Sequence, residues 1–226
     1  MNTNLFKRTI TSLFLIIVLT FGLFYNDFSW RSLVIIFSFL CFYEFYNLIN
    51  KIYKNKIIIT ILLFLIGLYL YFFHFLLIRI KNEFGEEIIL ILLITCIFSD
   101  IGGYVFGKSI GGPKLISISP NKTISGAFGS IIFTLLGTSL FLIFLNKLNE
   151  DLILLEFSIK IYIWLILMSI FCQIGDLLIS YLKRKAKVKD TGNILPGHGG
   201  ILDRVDGIIL AIPFGVLTFL ILKLSL

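Results

Sequence analysis

Four acidic residues stand out because they lie within or beside long apolar stretches. They are Asp100, Asp176, Asp203 and Asp206, and Glu44 is a further candidate. A carboxylate at the centre of a membrane-spanning helix costs about 2.5–3.5 kcal/mol on insertion scales, so its presence indicates a specific role. Asp203 and Asp206 are three residues apart, and a continuous helix would place them on one face. Glu44 is isolated near a helix end, where an acid more often pairs with a neighbour.

Carboxylates grouped beside Lys and Arg allow two kinds of chemistry. They can close a structural ion-pair network, or they can hold a hard cation such as Mg²⁺ while the basic residues receive phosphates. The segment Leu195-Pro196-Gly197-His198-Gly199-Gly200 favours the second alternative. Its glycines allow a sharp turn that exposes backbone N–H groups as an anion-binding nest. It also leads into the helix that Asp203 is expected to begin, whose positive end favours phosphate.

The octapeptide Gly102–Ser109 matches the P-loop pattern G-x-x-x-x-G-K-S/T. That motif works where it follows a buried strand and begins a helix. Here it closes an apolar stretch and runs into Gly111-Gly112-Pro113, so we expect no P-loop.

The elements that must position these residues are membrane-spanning helices. The chain has 226 residues, 58% apolar and 15% charged, with a mean hydropathy of +1.01. Uncharged runs that could cross a hydrocarbon core of about 30 Å recur along it, and helices satisfy their own backbone there. We expect an all-α, polytopic integral membrane protein with about seven transmembrane helices. The spans run roughly over 9–25, 32–50, 57–78, 87–107, 124–145, 159–182 and 206–224.

Basic residues orient these spans. The chain carries 20 Lys and Arg against 13 Asp and Glu, a formal net charge of +7. Basic residues that flank membrane spans explain this excess without a nucleic-acid partner. With a cytoplasmic N-terminus, 14 of the 20 lie on the cytoplasmic side and 6 on the other. That orientation places the active site at the cytoplasmic ends of the C-terminal helices.

A spaced pattern of polar residues fills 180–206. It comprises Ser180, Lys183-Arg184, Lys189-Asp190, His198-Gly199-Gly200, Asp203-Arg204 and Asp206. This segment resembles the signature of the phosphatidate cytidylyltransferase (CDP-diacylglycerol synthase) family at every specified position. Residues 99–108, 119–123 and 175–176 resemble further segments of the same family.

The resemblance implies an enzyme that transfers the cytidylyl group of CTP to phosphatidic acid, giving CDP-diacylglycerol and pyrophosphate for phospholipid synthesis. It implies one transmembrane domain over 1–226, with divergent N-terminal spans in 1–85 and catalytic spans in 86–226. The expected partners are CTP, phosphatidic acid and the bilayer of the cell inner (plasma) membrane, and a homodimer stays open. The implied cofactor is Mg²⁺, with a second, monovalent cation beside it.

Roles for individual residues follow from the same resemblance. The residues expected in catalysis are Asp100, Asp176, Asp203, Asp206, Lys183, Arg184, Arg204 and His198. Those expected to bind substrate are Ser119, Lys122, Thr123, Lys189, Gly199 and Gly200. The expected Mg²⁺ ligands are Asp176, Asp203 and Asp206. His198 either protonates the leaving pyrophosphate or holds the glycine segment by a hydrogen bond, and we favour the second role.

Two alternatives to this function stay open. Another CTP-using membrane enzyme, acting on an isoprenoid-ether lipid or phosphorylating a polyprenol, would need a similar set of acids and bases. A transporter would place its acids near the membrane midplane on broken helices in paired halves. The acids here lie toward one end of their spans and no internal repeat is visible, which disfavours a transporter.

Overall fold

Long apolar runs fold as helices because a helix satisfies its own backbone groups where water is absent. The computed structural model describes residues 3–116, 119, 122–148, 157–222 and 224. Its helices are α1 (Thr3–Phe24), α2 (Asp27–Ile52), α3 (Lys56–Ser109), α4 (Ile124–Leu148), α5 (Ile159–Lys185), α6 (Leu202–Val205) and α7 (Ile208–Ile221). Within these residues there is no strand longer than an isolated bridge. The predicted all-α membrane fold is therefore confirmed. Pro120 and Asn121 of the 119–123 segment lie outside the described residues.

Each predicted span has a helical counterpart. The third and fourth are joined in α3, whose 54 residues are interrupted at Gly85 (φ 80°, ψ −179°), a conformation that glycine adopts without strain. In the described part of the chain, α1 to α5 are the five helices long and apolar enough to cross a membrane. The last, α7, has 14 residues. The division into N-terminal and catalytic spans at 85/86 stays a prediction.

The region of Asp203 and Asp206 differs from the expectation. A single helix was expected to carry both residues on one face, but α6 ends at Val205 and α7 begins at Ile208. The carboxylate of Asp206 accepts a hydrogen bond from the N–H of Gly207 at 3.1 Å. Such local side-chain bonds compete with helix continuation, and the single helix expected here is divided into α6 and α7. That the two acids share one face stays a prediction.

The chain forms two compact units. The first comprises Met1–Arg79 and Tyr181–Val205, and the second Ile80–Ser180 and Asp206–Leu226. In the first unit, the buried indole of Trp30 donates to the carbonyl of Leu77 at 3.4 Å. In the second unit, the buried indole of Trp164 donates to the carbonyl of Gly215 at 2.8 Å. Each unit thus has a buried tryptophan that links two of its helices.

Glycines bring α3 and α4 into close contact within the second unit. A Cβ on Gly103 would lie 2.7 Å from Ser130 Oγ, and one on Gly126 would lie 2.9 Å from the Gly103 carbonyl oxygen. Small residues at such a crossing let two helix backbones approach closely. The P-loop-like octapeptide is part of α3, so the expectation that it is no P-loop is confirmed.

Candidate functional site

The predicted site residues divide between the two units. Those in the first unit are Lys183, Arg184, Lys189, His198, Gly199, Gly200, Asp203 and Arg204. Those in the second unit are Asp100, Ser119, Lys122, Thr123, Asp176 and Asp206. Arg184, Lys189 and Arg204 are exposed.

A polar cavity in the second unit collects the predicted acids of that unit. Its volume is about 340 Å³, and the charged residues among its described lining are Asp100, Asp176, Asp206 and Lys122. Lys122 Nζ lies 2.8 Å from Asp176 Oδ2, with side chains 27% and 17% exposed. Three carboxylates therefore face one lysine in this cavity.

Close backbone packing brings Asp176 and Asp206 to this cavity. A Cβ on Gly175 of α5 would lie 2.5 Å from the carbonyl oxygen of Asp206 and 3.1 Å from the Cα of Gly207. A Cβ on Gly207 would in turn meet Asp176 Oδ1 at 3.0 Å. Because neither glycine has a side chain, α5 can lie directly against the residues that precede α7.

The loop before α4 positions Lys122. The N–H of Lys122 donates to the carbonyl of Ser119 at 3.1 Å, and its carbonyl accepts from Leu115 at 2.8 Å. Thr123 then caps α4, since its hydroxyl accepts the N–H of Gly126 at 3.1 Å. Lys122 is thus fixed at the start of a capped helix, and substrate-binding roles for Ser119 and Thr123 stay predictions.

The carboxylate of Asp203 accepts several hydrogen bonds within the first unit. Its Oδ1 accepts from Lys183 Nζ at 2.7 Å, and its Oδ2 accepts the N–H groups of Thr191 at 2.8 Å and Gly200 at 3.0 Å. Burial raises the pKa of Asp203, but the bonds from Lys183, Gly200 and Thr191 outweigh it and hold the pKa below its ordinary value.

The glycine segment offers fewer free N–H groups than the sequence suggests. Ile201 and Leu202 donate their N–H groups to Glu44 at 2.8 and 2.9 Å, and Gly200 donates to Asp203 at 3.0 Å. Within the segment 195–200, the N–H groups of Leu195, His198 and Gly200 already have acceptors in the chain, and the expected anion-binding nest stays a prediction. Glu44 lies on α2 and is fully buried.

Helix α1 holds the same segment from another direction. Arg8 Nε donates to the carbonyl of Gly197 at 2.9 Å, and the hydroxyl of Thr11 donates to the carbonyl of Pro196 at 2.9 Å. Gly197 has φ 76°, as the sharp turn requires.

His198 stabilises this turn through its backbone and its ring. Its N–H donates to the carbonyl of Leu195 at 2.9 Å, its carbonyl accepts from Arg204 Nη2 at 2.9 Å, and its Nε2 lies 3.3 Å from Ser12 Oγ. Burial and the charge of Arg204 lower the pKa of His198. This geometry supports the loop-holding role that we favour from the sequence.

Mg²⁺ fits the donors of the second-unit cavity. In the part of the chain that the structure describes, no three His, Cys, Asp or Glu side chains are grouped so that they could hold a metal ion by themselves. Mg²⁺ does not need one, because it usually takes one or two carboxylates together with water and substrate phosphates. Asp100, Asp176 and Asp206 supply hard oxygen donors. Asp203 is also a predicted ligand, and a cation at its Oδ1 would have to displace Lys183.

Sequence reasoning missed Thr191 and assigned only a secondary role to Glu44. The hydroxyl of Thr191 lies 2.7 Å from Glu44 Oε2 and 3.1 Å from Asp203 Oδ2. A lone acid in the predicted span 32–50 was the available signal for Glu44. The sequence around Thr191 gives no comparable signal, because its hydrogen-bond partner Glu44 is 147 residues away.

The fold and the cavity define a polytopic helical membrane protein with an acidic site beside a fixed lysine. The chain belongs to the cytidylyltransferase family, whose profile matches residues 50–222. It is 40% identical to the phosphatidate cytidylyltransferase of Bacillus subtilis over 148 residues, covering 63% of this chain and 51% of the relative. It is also 40% identical to that of Helicobacter pylori over 150 residues, covering 66% and 51%. The chain thus spans about half the length of these curated relatives.

Proposed function

We propose that this protein transfers the cytidylyl group of CTP to phosphatidic acid, giving CDP-diacylglycerol and pyrophosphate. The cavity that groups Asp100, Asp176 and Asp206 with Lys122 carries the proposal. All of these residues lie within the segment that matches the cytidylyltransferase profile. Relatives named phosphatidate cytidylyltransferase are about 40% identical to this chain over the matched residues.

In the proposed reaction, a phosphate oxygen of phosphatidic acid attacks the α-phosphorus of CTP and pyrophosphate leaves. This phosphomonoester is anionic at neutral pH, with a second pKa of about 6, so no general base is required to create the nucleophile. The difficulty is repulsion between two polyanions, which fixed positive charges must offset. Lys122 is the proposed phosphate contact in the cavity. The proposed phosphate contacts of the first unit are Lys183, Arg184, Lys189 and Arg204.

Asp176 and Asp206, with Asp100 beside them, would hold Mg²⁺ in the cavity, and Asp203 stays a predicted ligand. When bound there, Mg²⁺ would neutralise charge on the transferred phosphoryl group and align the reactants. A second, monovalent cation stays a prediction. Before substrate binds, Lys122 compensates the partly buried Asp176 across 2.8 Å and so limits the cost of that carboxylate.

The test is turnover by the purified protein with CTP labelled at either the α- or the γ-phosphorus. We expect label from the α-position in lipid only when phosphatidic acid and Mg²⁺ are both present. Label transferred from the γ-position to a polyprenol would indicate a kinase instead. Preference for an isoprenoid-ether lipid over phosphatidic acid would identify the other CTP-using alternative, and no labelled lipid in any arm would contradict the proposal.

Gly175→Ala should lower this turnover by about 10²-fold, since a shift of about 1 Å in a catalytic group can cost that much. The added methyl would be forced against the Asp206 carbonyl 2.5 Å away. Gly67→Ala is the matched control, because its Cβ would meet only Phe42 Cε2 at 3.7 Å. Steady-state rates of the two purified variants provide the measurement, and equal rates would contradict the role of this close approach.

We further propose that the protein resides in the cell inner (plasma) membrane with its N-terminus in the cytoplasm. The distribution of basic residues, 14 of 20 on one side, supports this orientation.

A cysteine at Lys187 should react with an impermeant thiol reagent only from the cytoplasmic side. The residue is exposed, and the native cysteines are buried and will compete little. Phe28→Cys, at a position 79% exposed, is expected to react only from the opposite side and serves as the control. Reaction of both from the same side would contradict the topology.

A further inference from the structure

We infer that Glu44 is a positioning residue that fixes the segment 191–203 and thereby the carboxylate of Asp203. Glu44 lies on α2, outside the residues 50–222 that match the family profile. The structural part of this inference stands on contacts within the first unit. Its consequence for turnover rests on the proposed function.

The burial of Glu44 requires a set of donors. Its side chain has no solvent exposure, and a buried carboxylate is costly unless hydrogen bonds satisfy its oxygens. Oε1 accepts the N–H of Ile201 at 2.8 Å, and Oε2 accepts the N–H of Leu202 at 2.9 Å and the hydroxyl of Thr191 at 2.7 Å. All of these donors come from the segment 191–203. The three hydrogen bonds therefore join Glu44 on α2 to this one segment.

A carboxylate is the group that fits this arrangement. An ionised Glu only accepts hydrogen bonds, whereas a Gln amide also presents two N–H donors. In Glu44→Gln, either orientation of the amide would point its NH₂ group at a backbone N–H. In the parent chain that N–H donates to a Glu44 oxygen. Leaving a buried N–H unpaired is costly because its desolvation is not compensated, so the segment would be released or displaced.

Two glycines of the segment provide the space for Glu44. A Cβ on Gly192 would lie 2.7 Å from Glu44 Oε1, and a Cβ on Gly200 would collide with Thr191 Oγ1 and the Glu44 carboxylate. These glycines therefore admit a buried side chain from a distant helix. Their presence in the signature does not by itself require a phosphate at the same place.

Thr191 links Glu44 to the predicted catalytic acid. Its hydroxyl is shared between Glu44 Oε2 at 2.7 Å and Asp203 Oδ2 at 3.1 Å, and its N–H donates to Asp203 Oδ2 at 2.8 Å. Displacing Thr191 therefore displaces two of the contacts that hold Asp203. Glu44 thus acts on Asp203 through Thr191.

The first measurement is amide hydrogen exchange of residues 200–203 in the purified protein. We expect at least tenfold faster exchange in Glu44→Gln than in the parent chain. Trp30→Phe is the control, because it removes a buried hydrogen bond to Leu77 in the same unit without touching the segment. Unchanged exchange in Glu44→Gln, or equal acceleration in Trp30→Phe, would overturn the inference whether or not the protein uses CTP.

The second measurement is steady-state turnover of CTP. Glu44→Gln should lower kcat by about 10- to 100-fold while the KM for CTP changes less than about threefold, because a displaced Asp203 impairs the reacting geometry more than nucleotide binding. Thr191→Val should have the same effect, and Thr191→Ser, which keeps the hydroxyl, should restore most of kcat. The Thr191 pair keeps the test valid if Glu44→Gln does not fold.

Three outcomes are distinguishable. Faster exchange with a lower kcat supports the inference. Faster exchange with a parental kcat overturns the positioning role. A parent chain without any CTP turnover contradicts the proposed function, and the exchange measurement then decides the structural role of Glu44 alone.

Discussion

Asp176→Asn should lower CTP-dependent turnover by about 10²–10³-fold, the usual cost of removing one preorganised electrostatic contact in an active site. The substitution removes a proposed cation ligand and leaves Lys122, now 2.8 Å from the carboxylate, without its acidic partner. Turnover at saturating Mg²⁺ and phosphatidic acid provides the measurement. Glu86→Gln is the charge-matched control, since Glu86 belongs to the same unit but does not line the cavity. Loss of less than tenfold would contradict the proposed role.

A double variant separates a cation ligand from a structural ion pair. If Asp176 serves only to neutralise Lys122, then Lys122→Gln combined with Asp176→Asn should recover much of the activity that the single Asp176 variant loses. If Asp176 holds a cation and Lys122 receives a phosphate, the double variant stays at least as inactive as either single variant. The cavity favours the second outcome, because Asp100 and Asp206 line it in addition to the paired acid.

Much of the fold could be predicted because hydropathy alone specifies which segments can lie in lipid. Each predicted span overlaps a helix, and the two spans joined in α3 are separated by Gly85. The break between α6 and α7 was not predictable in the same way. At the break, the N–H of Gly207 donates to the Asp206 side chain and Gly207 packs tightly against α5. Neither contact can be detected from hydropathy.

The site shows the same limit at the level of side chains. Charge in an apolar context identified Asp176 and Asp203, and family resemblance identified Lys122 and Lys183. The pairings Lys122–Asp176 and Lys183–Asp203 join residues 54 and 20 positions apart, so only the folded chain specifies them. Local sequence also could not show that the carboxylate of Asp203 accepts the N–H of Gly200, or that buried Glu44 accepts the N–H of Ile201 from 157 residues away.

Asp203→Asn should abolish CTP-dependent synthesis, with an expected loss of about 10²–10³-fold, while the protein remains inserted in the membrane. The carboxylate accepts Lys183 on one oxygen and the N–H groups of Thr191 and Gly200 on the other. An Asn amide can keep only one of these sets, because its NH₂ must face either a lysine or backbone donors. The variant therefore loses both charge and geometry, and Asp203→Glu, which keeps the charge, separates the two effects.

The Mg²⁺ concentration needed for half-maximal turnover in the Asp203 variants distinguishes a metal ligand from a structural anchor. If Asp203 is a ligand, as predicted, Asp203→Glu should retain measurable turnover but need a higher Mg²⁺ concentration for half-maximal rate. If Asp203 only anchors Lys183 and the segment 191–203, the residual activity of both variants should keep the parental Mg²⁺ dependence. Turnover of Asp203→Asn above about a tenth of the parent rate would remove Asp203 from the metal site altogether. Since its Oδ1 is bound to Lys183 at 2.7 Å, a ligand role also requires Lys183 to leave when the cation binds. In the proposed reaction, CTP phosphates would offer that lysine an alternative partner, and nucleotide binding would then be coupled to release of the carboxylate.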